Sequence, residues 1–329
     1  MRCLARQNIH RFVATVIFVL AAWPTLAQSQ QDFPVRPLRM VVPLSAGSAA
    51  DILARRLAQK MRESWGQPVV VENLPGAGTT LGAGMVAKAV PDGHTLLINS
   101  AAFAASAAMY PKLSYDPLKD FAPVSQIAIA PIVVVVAPSL GARSIKDLVE
   151  LAKGQPGQIN FGSAGAGSST HFAGEQFKLA AGLDVVHVPY KGPPEALLDT
   201  MTGRIQYSLS PLLPALPFIR DGRLLALGVT TAQRWPVLQD VPTIAEAGLP
   251  GYEYQDWWGM FAPAATPRAV VDRIGKEIAR ILELPDITEQ MLSQGAAARP
   301  STPDEFTSFV RAKVETAREV ATRAGIRVQ

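Results

Sequence analysis

Residues 162–171 read GSAGAGSSTH: three glycines, four hydroxyl side chains, one histidine and no lysine or arginine. Gly162 and Gly167 have the spacing of a phosphate-binding G-x4-G loop, but Ser168 and Ser169 follow where a lysine must stand to counter the β and γ phosphates. Gly165-Ala166-Gly167 lacks the third glycine of a dinucleotide fingerprint. A second cluster, Gly76, Gly78 and Gly82 in PGAGTTLG, reads as a turn with close helix-to-strand packing. Ser163 stands one place too early for the G-x-S-x-G nucleophile elbow. His171 and Glu175 share a helix face at a spacing of four, which supplies two metal ligands and no third. His187, in the apolar run VVHVPY, reads as a buried or hinge-facing ring.

An anion cradle needs none of the missing parts. INFGS reads as a strand, GAGSS as a turn and THFAGEQFKLAAG as a helix ending at Gly182, so the turn presents the free N–H groups of a helix start. VVPLSAGSAAD repeats the design, and its Ser48 and Asp51 form an S-x-x-D capping signal that assigns Asp51 to holding the loop rather than to a ligand. Neither 40–54 nor 161–177 contains Lys or Arg. Two helix ends supply about half a positive charge each, enough for one carboxylate and too little for a triphosphate.

The elements that carry these loops alternate. RPLRMVVPL, QPVVVEN, HTLLINS, PIVVVVAP, VVHVPY and LLALGVTT are apolar runs bounded by Pro, Gly or Asn, the pattern of strands covered on both faces. Between them lie helical stretches; in the first, Leu53, Leu57, Met61 and Trp65 recur every four residues and Gly66 ends the run. Strand–helix alternation predicts an α/β architecture. From about Pro267 two helical patterns follow one another with no strand between them, the second opening on the capping box Thr302–Glu305.

Residues 1–27 carry Arg2, Arg6 and Arg11, a 12-residue apolar run and Thr25-Leu26-Ala27, the three-part layout of a cleavable secretory signal peptide. The run is too short for a membrane span, which takes roughly 20 residues. Without this segment 28 basic residues face 27 acidic ones, so the basic balance of the whole chain gives no support for nucleic-acid binding. Cys3, the only cysteine, leaves with the signal, which excludes disulfides, thiolate catalysis and cysteine metal sites in the mature protein.

VVPLSAGSAADILAR, GQPVVVENLPGAGTTLGAGMVAKAVPDGHTLL, YDPLKDFAPV, INFGSAGAGSSTH, HVPYKG, GRLLALGVTTAQR, DVPTIAEAGLPGYE and APAATP resemble, in order, the successive blocks of the Bug-type periplasmic receptors of tripartite tricarboxylate transporters. The resemblance spans about Phe33 to the end. It implies a type II-like periplasmic-binding-protein fold, each lobe a mostly parallel sheet flanked by helices, with the ligand cleft between the lobes. It implies that Leu44–Asp51 and Ser163–His171 face each other and hold a ligand carboxylate through backbone N–H groups, hydroxyls and waters, and that 99–103 lines the ligand. The chain departs from the pattern at Ser48, where a second glycine is usual, at Gln206, often acidic, and at Trp257-Trp258, commonly a single tryptophan.

These readings give lobe 1 as 28–136 plus 253–329 and lobe 2 as 137–252. Ser45, Ala46, Gly47, Ser48, Ser163, Ala164, Gly165, Ser168, Thr170 and His171 are expected around the carboxylate; Ser100, Ala101, Phe103, Tyr190, Asp256 and Trp257 are expected to read the rest of the ligand. No catalysis, cofactor or metal is expected. The partners implied are a small organic carboxylate and the membrane permease subunits, with the receptor a monomer. Two alternatives share the inventory: a ligand-loaded partner of a membrane sensor kinase, and a secreted enzyme built around His171, Glu175 and His187. A NAD-binding enzyme is the weakest reading.

Overall fold

The structure is a computed structural model that describes residues 33–328. The signal segment with Cys3 lies outside the described residues, so the reading of 1–27 remains one of sequence. The body from Arg36 onward is built on strands β1 (Leu38–Val42), β2 (Val69–Asn73), β3 (Thr95–Ser100), β4 (Phe121–Val136), β5 (Asn160–Ser163), β6 (Val186–Pro189), β7 (Tyr207–Pro211), β8 (Leu225–Val229) and β9 (Gln255–Pro263). The helices that position the candidate loops are α1 (Ala49–Trp65), α2 (Thr80–Ala87), α3 (Ala102–Met109), α4 (Ile145–Gly154), α5 (Ser169–Ala181) and α6 (Pro193–Met201). α7 (Leu212–Arg220), α8 (Arg268–Leu282), α9 (Pro285–Ser293) and α10 (Pro303–Ala324) complete the cover.

The strand order is β2-β1-β3-β9-β4-β7-β5-β6, with β8 also paired to β4. Strands β2, β1 and β3 are mutually parallel and β9 runs against both β3 and β4; β7, β5 and β6 are mutually parallel and β4 runs against β7 and β8. Each half is thus a mostly same-direction sheet, crossed by the reversed β9 in one half and by the reversed β4 in the other, and helices separate the parallel neighbours as crossovers require. Together the two halves form the α/β, two-lobed periplasmic-binding-protein fold.

Strand β4 belongs to both halves. Phe121–Pro131 pairs with β9, and Ile132–Val136 pairs with β7 and β8. Pro131 stands at the change of partners, where a missing N–H costs no ladder bond. Beyond it, Ile132, Val134 and Val136 pack into one hydrophobic cluster with Phe161, Phe177 and Tyr207, while Val133 and Val135 pack into another with Leu212, Leu216 and Trp235. Both faces of the strand are buried, which is why its sequence is a continuous run of β-branched residues. A third cluster, around Phe103, Phe121, Trp257, Phe261 and Phe306, fills the half that carries β1–β3 and α10.

Helix starts and stops follow their local signals. Gly66, Gly182 and Gly325 close α1, α5 and α10 in left-handed conformations, and Thr302 with Glu305 forms the full reciprocal capping box of α10. The C-terminal region differs from its sequence reading. A third helix, α9, and a two-residue strand, β10 (Ala297–Ala298), which pairs with β4 at Ala128 and Ile129, lie between the two expected helices. The pattern is too short there to register: α9 buries only Ile287 and Met291.

Candidate functional site

Two serines set the cradle. Ser48 caps α1 by accepting a hydrogen bond from Asp51 N (3.3 Å), and Ser168 caps α5 by accepting one from His171 N (3.2 Å). The first N–H groups of each helix have no intrahelical partner. The residues that carry them, Ala49 and Ala50 on α1, Ser169 and Thr170 on α5, line one cavity together with Leu44, Ser100, Ala102, Ala164, Ser168, Pro193, Pro211, Asp256 and Trp258. No lysine, arginine or histidine lines it.

The loops before the two caps are braced. Asp51 accepts hydrogen bonds from Gly47 N (2.9 Å), Arg55 Nε (3.0 Å) and Asn73 Nδ2 (3.0 Å). Burial opposes its ionisation, but these donors outweigh it and hold the acid below the usual carboxylate range. Asp51 therefore ties the loop to its own helix, bonding Gly47 rather than completing a reciprocal box with Ser48. In the second loop, Ala164 N donates to Thr170 Oγ1 (2.8 Å), and Gly167 N donates to His171 Nδ1 (3.0 Å). Ser163 Oγ shares a 2.6 Å hydrogen bond with His187 Nε2 and also bonds the backbone of Gly165.

That serine–histidine pair has the spacing of a nucleophile and its base, but its environment opposes the role. Burial first, then the neighbouring His171, pushes His187 down to about 3, far from the value a general base needs near neutral pH. The His171 and His187 rings stack at 3.8 Å between centroids, and Phe161 stacks on the far face of His187 at 4.9 Å. His171 Nε2 lies 3.7 Å from Glu175, and no third ligand joins them among the described residues.

The cavity is small, about 10 Å³, because the two halves meet over it. Ser45 Oγ donates to Glu195 Oε2 (2.9 Å), Ser45 N to the Lys191 carbonyl (3.3 Å), and Tyr110 Oη to the Ala166 carbonyl (2.9 Å). Gly78, at φ +58°, lies so close to the second loop that a Cβ there would fall on the carbonyl oxygen of Ala166. At Gly192 a Cβ would fall on the Ser45 hydroxyl. Only glycine allows either approach.

Asp256 is the one ionisable group in the lining, and it is completely buried. Its Oδ1 accepts hydrogen bonds from Trp257 N (3.0 Å) and Ala101 N (3.2 Å), its Oδ2 from Ser169 Oγ (3.2 Å). Burial pushes the acid up to about 7, with these three donors pulling the other way.

Of the expected site residues, Ser100, Ala164, Ser168, Thr170 and Asp256 line this cavity. Ser45, Ala46, Gly47, Ser48, Ser163, Gly165 and His171 shape the loops around it without lining it; Ala46 and Gly47 are exposed. Ala101 contributes its N–H to Asp256. The three aromatic residues expected to read the ligand, Phe103, Tyr190 and Trp257, do not line this cavity. Phe103 is fully buried in the core, stacked on Phe261 at 4.4 Å, because α3 turns it toward the sheet. Tyr190 directs its hydroxyl to Asp199 (2.8 Å). Trp257 packs against Phe306 and Phe309 on the far side of β9, and Trp258 takes the cleft face with Asp256, since alternate strand residues share a face.

Ala49, Ala50 and Ser169 lie inside the loop ranges expected to face each other, but neither they nor Trp258 were among the residues expected at the ligand. The signal for the first three was present: a cap residue is followed by the positions whose N–H groups are free.

The family model of the tripartite tricarboxylate transporter family receptor matches residues 53–326. A UPF0065 protein from the tcbD–tcbE intergenic region of Pseudomonas sp. strain P51 is 39% identical over 313 residues, covering 95% of this chain and 93% of its own. The structure of the periplasmic binding protein BugD superposes with a TM-score of 0.87 at 33% identity, covering 90% of this chain and 100% of that one. An R. palustris protein solved with adipate gives the same TM-score at 35% identity, covering 90% and 99%. With its family model matched over most of the described residues and its fold shared with these receptors, the chain belongs to the tripartite tricarboxylate transporter receptor family, of the Bug type.

Proposed function

We propose that this chain is a periplasmic solute receptor that captures a small organic carboxylate by closing its two lobes and delivers it to the membrane permease subunits of a tripartite transporter. The observation that carries the reading is the convergence of two helix starts, one from each half, on a cavity lined by the residues that carry the helices' first N–H groups, by serine and threonine, and by no basic residue. Such a site binds one carboxylate by dipoles and hydrogen bonds. At about 10 Å³ the closed cavity has room for roughly one water-sized sphere, so a ligand enters only as the halves part.

The change of partners at Pro131/Ile132 and the segment from Thr230 to Gln255 serve as the hinge. Ile132 N donates to Thr230 Oγ1 (2.9 Å), and Tyr254 N to the Thr230 carbonyl (2.7 Å), so both crossings are tied at one point. On this reading the expected lobe boundaries at 136/137 and 252/253 fall close to the hinge, near Pro131 and Gln255, residues 1–27 are removed as a signal peptide and the receptor works as a monomer. The adipate complex of a 35% identical relative supports a carboxylate ligand.

Thermal unfolding of residues 28–329 against mono-, di- and tricarboxylates, aromatic acids, amino acids, NAD and divalent metals tests the reading. A ligand at 100 times its Kd adds about 2.7 kcal/mol, which raises the midpoint by several degrees at this size. A shift with acids alone is the expected result. A shift with only NAD or a metal, or turnover of any ligand, overturns it.

A further inference from the structure

We propose that the ligand is a carboxylate that also carries a protonated amine, an amino acid or a close derivative, and that Asp256 is the residue that reads the amine. This rests on the receptor reading above and adds the chemistry of the ligand's second group.

Asp256 is wholly buried, lines the cleft cavity, and has no ion pair among the described residues. Its partners are all neutral: two backbone N–H groups and one serine hydroxyl. A buried carboxyl with no cation holds its charge only at a cost, which is why burial raises Asp256 toward its neutral form; a neutral residue of the same shape would keep the hydrogen bonds without that cost. A binding site keeps such a group where the missing cation arrives with the ligand. The charges balance for one kind of molecule. Two helix starts offset the ligand carboxylate, and the ligand ammonium offsets Asp256. A plain dicarboxylate would instead bring its second negative charge against an acid in a lining with no basic side chain, and could be held only with Asp256 kept protonated.

The geometry provides the opening. Oδ1 is held by Ala101 and Trp257, on the same half of the molecule as Asp256 itself, so the carboxylate keeps its orientation whether the halves are together or apart. Oδ2 is held only by Ser169, which begins α5 in the other half. As the halves part, Ser169 leaves with α5 and Oδ2 is free to accept from an ammonium group.

Matched sets of acids test this on residues 28–329 at neutral pH: alanine, lactate and propionate; aspartate, malate and succinate; phenylalanine, phenyllactate and 3-phenylpropionate. Titration calorimetry should show the amine member of at least one set binding ~10-fold or more tightly than both counterparts. In Asp256→Asn the amine member should lose at least ~10-fold and the preference should vanish. If a hydroxy or plain acid binds the parent protein as tightly as every amine counterpart, or if Asp256→Asn keeps the preference, Asp256 does not read an amine while the receptor reading stands. The comparison within the parent decides this even where the variant fails to fold. If no acid of any class, tricarboxylates included, binds the parent, the receptor reading itself falls.

Discussion

Asp256 and His187 are expected to tilt the stability of the protein in opposite directions as pH changes, and replacing either one should expose the other. Burial pushes Asp256 up to about 7, above its value of 3.8 in an unfolded chain. Between those values the folded protein holds a proton that the unfolded chain has released, so this contribution is complete below about pH 4 and is lost as pH rises through about 7. The span of about three pH units corresponds to about 4 kcal/mol. His187 is pushed down to about 3 from 6.5. Below pH 6.5 the unfolded chain takes a proton that the folded ring refuses, so its contribution is present above 6.5 and lost as pH falls toward 3, with a ceiling of about 5 kcal/mol that the solvent-facing edge of the ring reduces. Each slope is at most about 1.4 kcal/mol per pH unit, and the two oppose each other between about pH 4 and 6.5. Urea unfolding of residues 28–329 at constant ionic strength should therefore give Asp256→Asn a stability that, relative to the parent, rises with pH across this window. His187→Gln should give one that falls. Taking differences from the parent removes the common contribution of other acids such as Glu175 and Asp51. A pH-independent difference for Asp256→Asn would refute the argument, because it would mean that the buried acid titrates as it does in the unfolded chain.

Gly78→Ala should leave each half folded, at a cost of about 1 kcal/mol for the left-handed backbone, yet prevent the approach to Ala166; small-angle scattering with ligand should show a protein that stays open, and affinity should fall at least ~10-fold if closure supplies half the cradle. Ser168→Ala removes the cap of α5 and its bond to the Thr170 hydroxyl, so unfolding should register a loss of about 1 kcal/mol and calorimetry a weaker ligand. Phe306→Ala, in the core against Trp257 and Phe261, should cost about 3–5 kcal/mol in a denaturant melt.

What could be read in the sequence and what could not divides along a physical line. The second part of β4 was visible because both of its faces are buried and every residue from Ile132 to Val136 is apolar, whereas 121–130 carries no such run and was not read as strand. The helix start at Ser48 was visible because capping is a contact between residues three apart; the second helix, read from Thr170, begins at Ser169 behind the cap Ser168. β9 was not, although it lies at the centre of the sheet: it comes from far along the chain to sit between β3 and β4, and pairing across such separations leaves no local periodicity. The same gap explains the tryptophans. Two adjacent residues of one strand must face opposite ways, but which one faces the cleft is fixed by register, here Ser100 opposite Trp258. Gly78 reads as an ordinary turn glycine, and its close approach to the Ala166 carbonyl, far along the chain, leaves no local signal.

The lack of a basic side chain in the lining has a consequence for how binding would drive closure. A ligand shifts an open–closed equilibrium only by its difference in affinity for the two forms. A lysine or arginine on either half would hold a carboxylate nearly as well in the open form as in the closed one, and the shift would be small. Here the positive ends sit one on each half, on α1 and on α5, so the full charge of about one unit gathers only on closure. The hydroxyls of Ser168, Ser169 and Thr170, which line the same cavity, would arrive with α5 at the same moment and exclude water as they do. Hydrogen bonds strengthen as the surroundings lose their water, so most of the binding free energy of such a site is realised in the closed form alone. A cradle made of weak, divided charges is in this respect better suited to a receptor that must report occupancy by its shape than one strong cation would be.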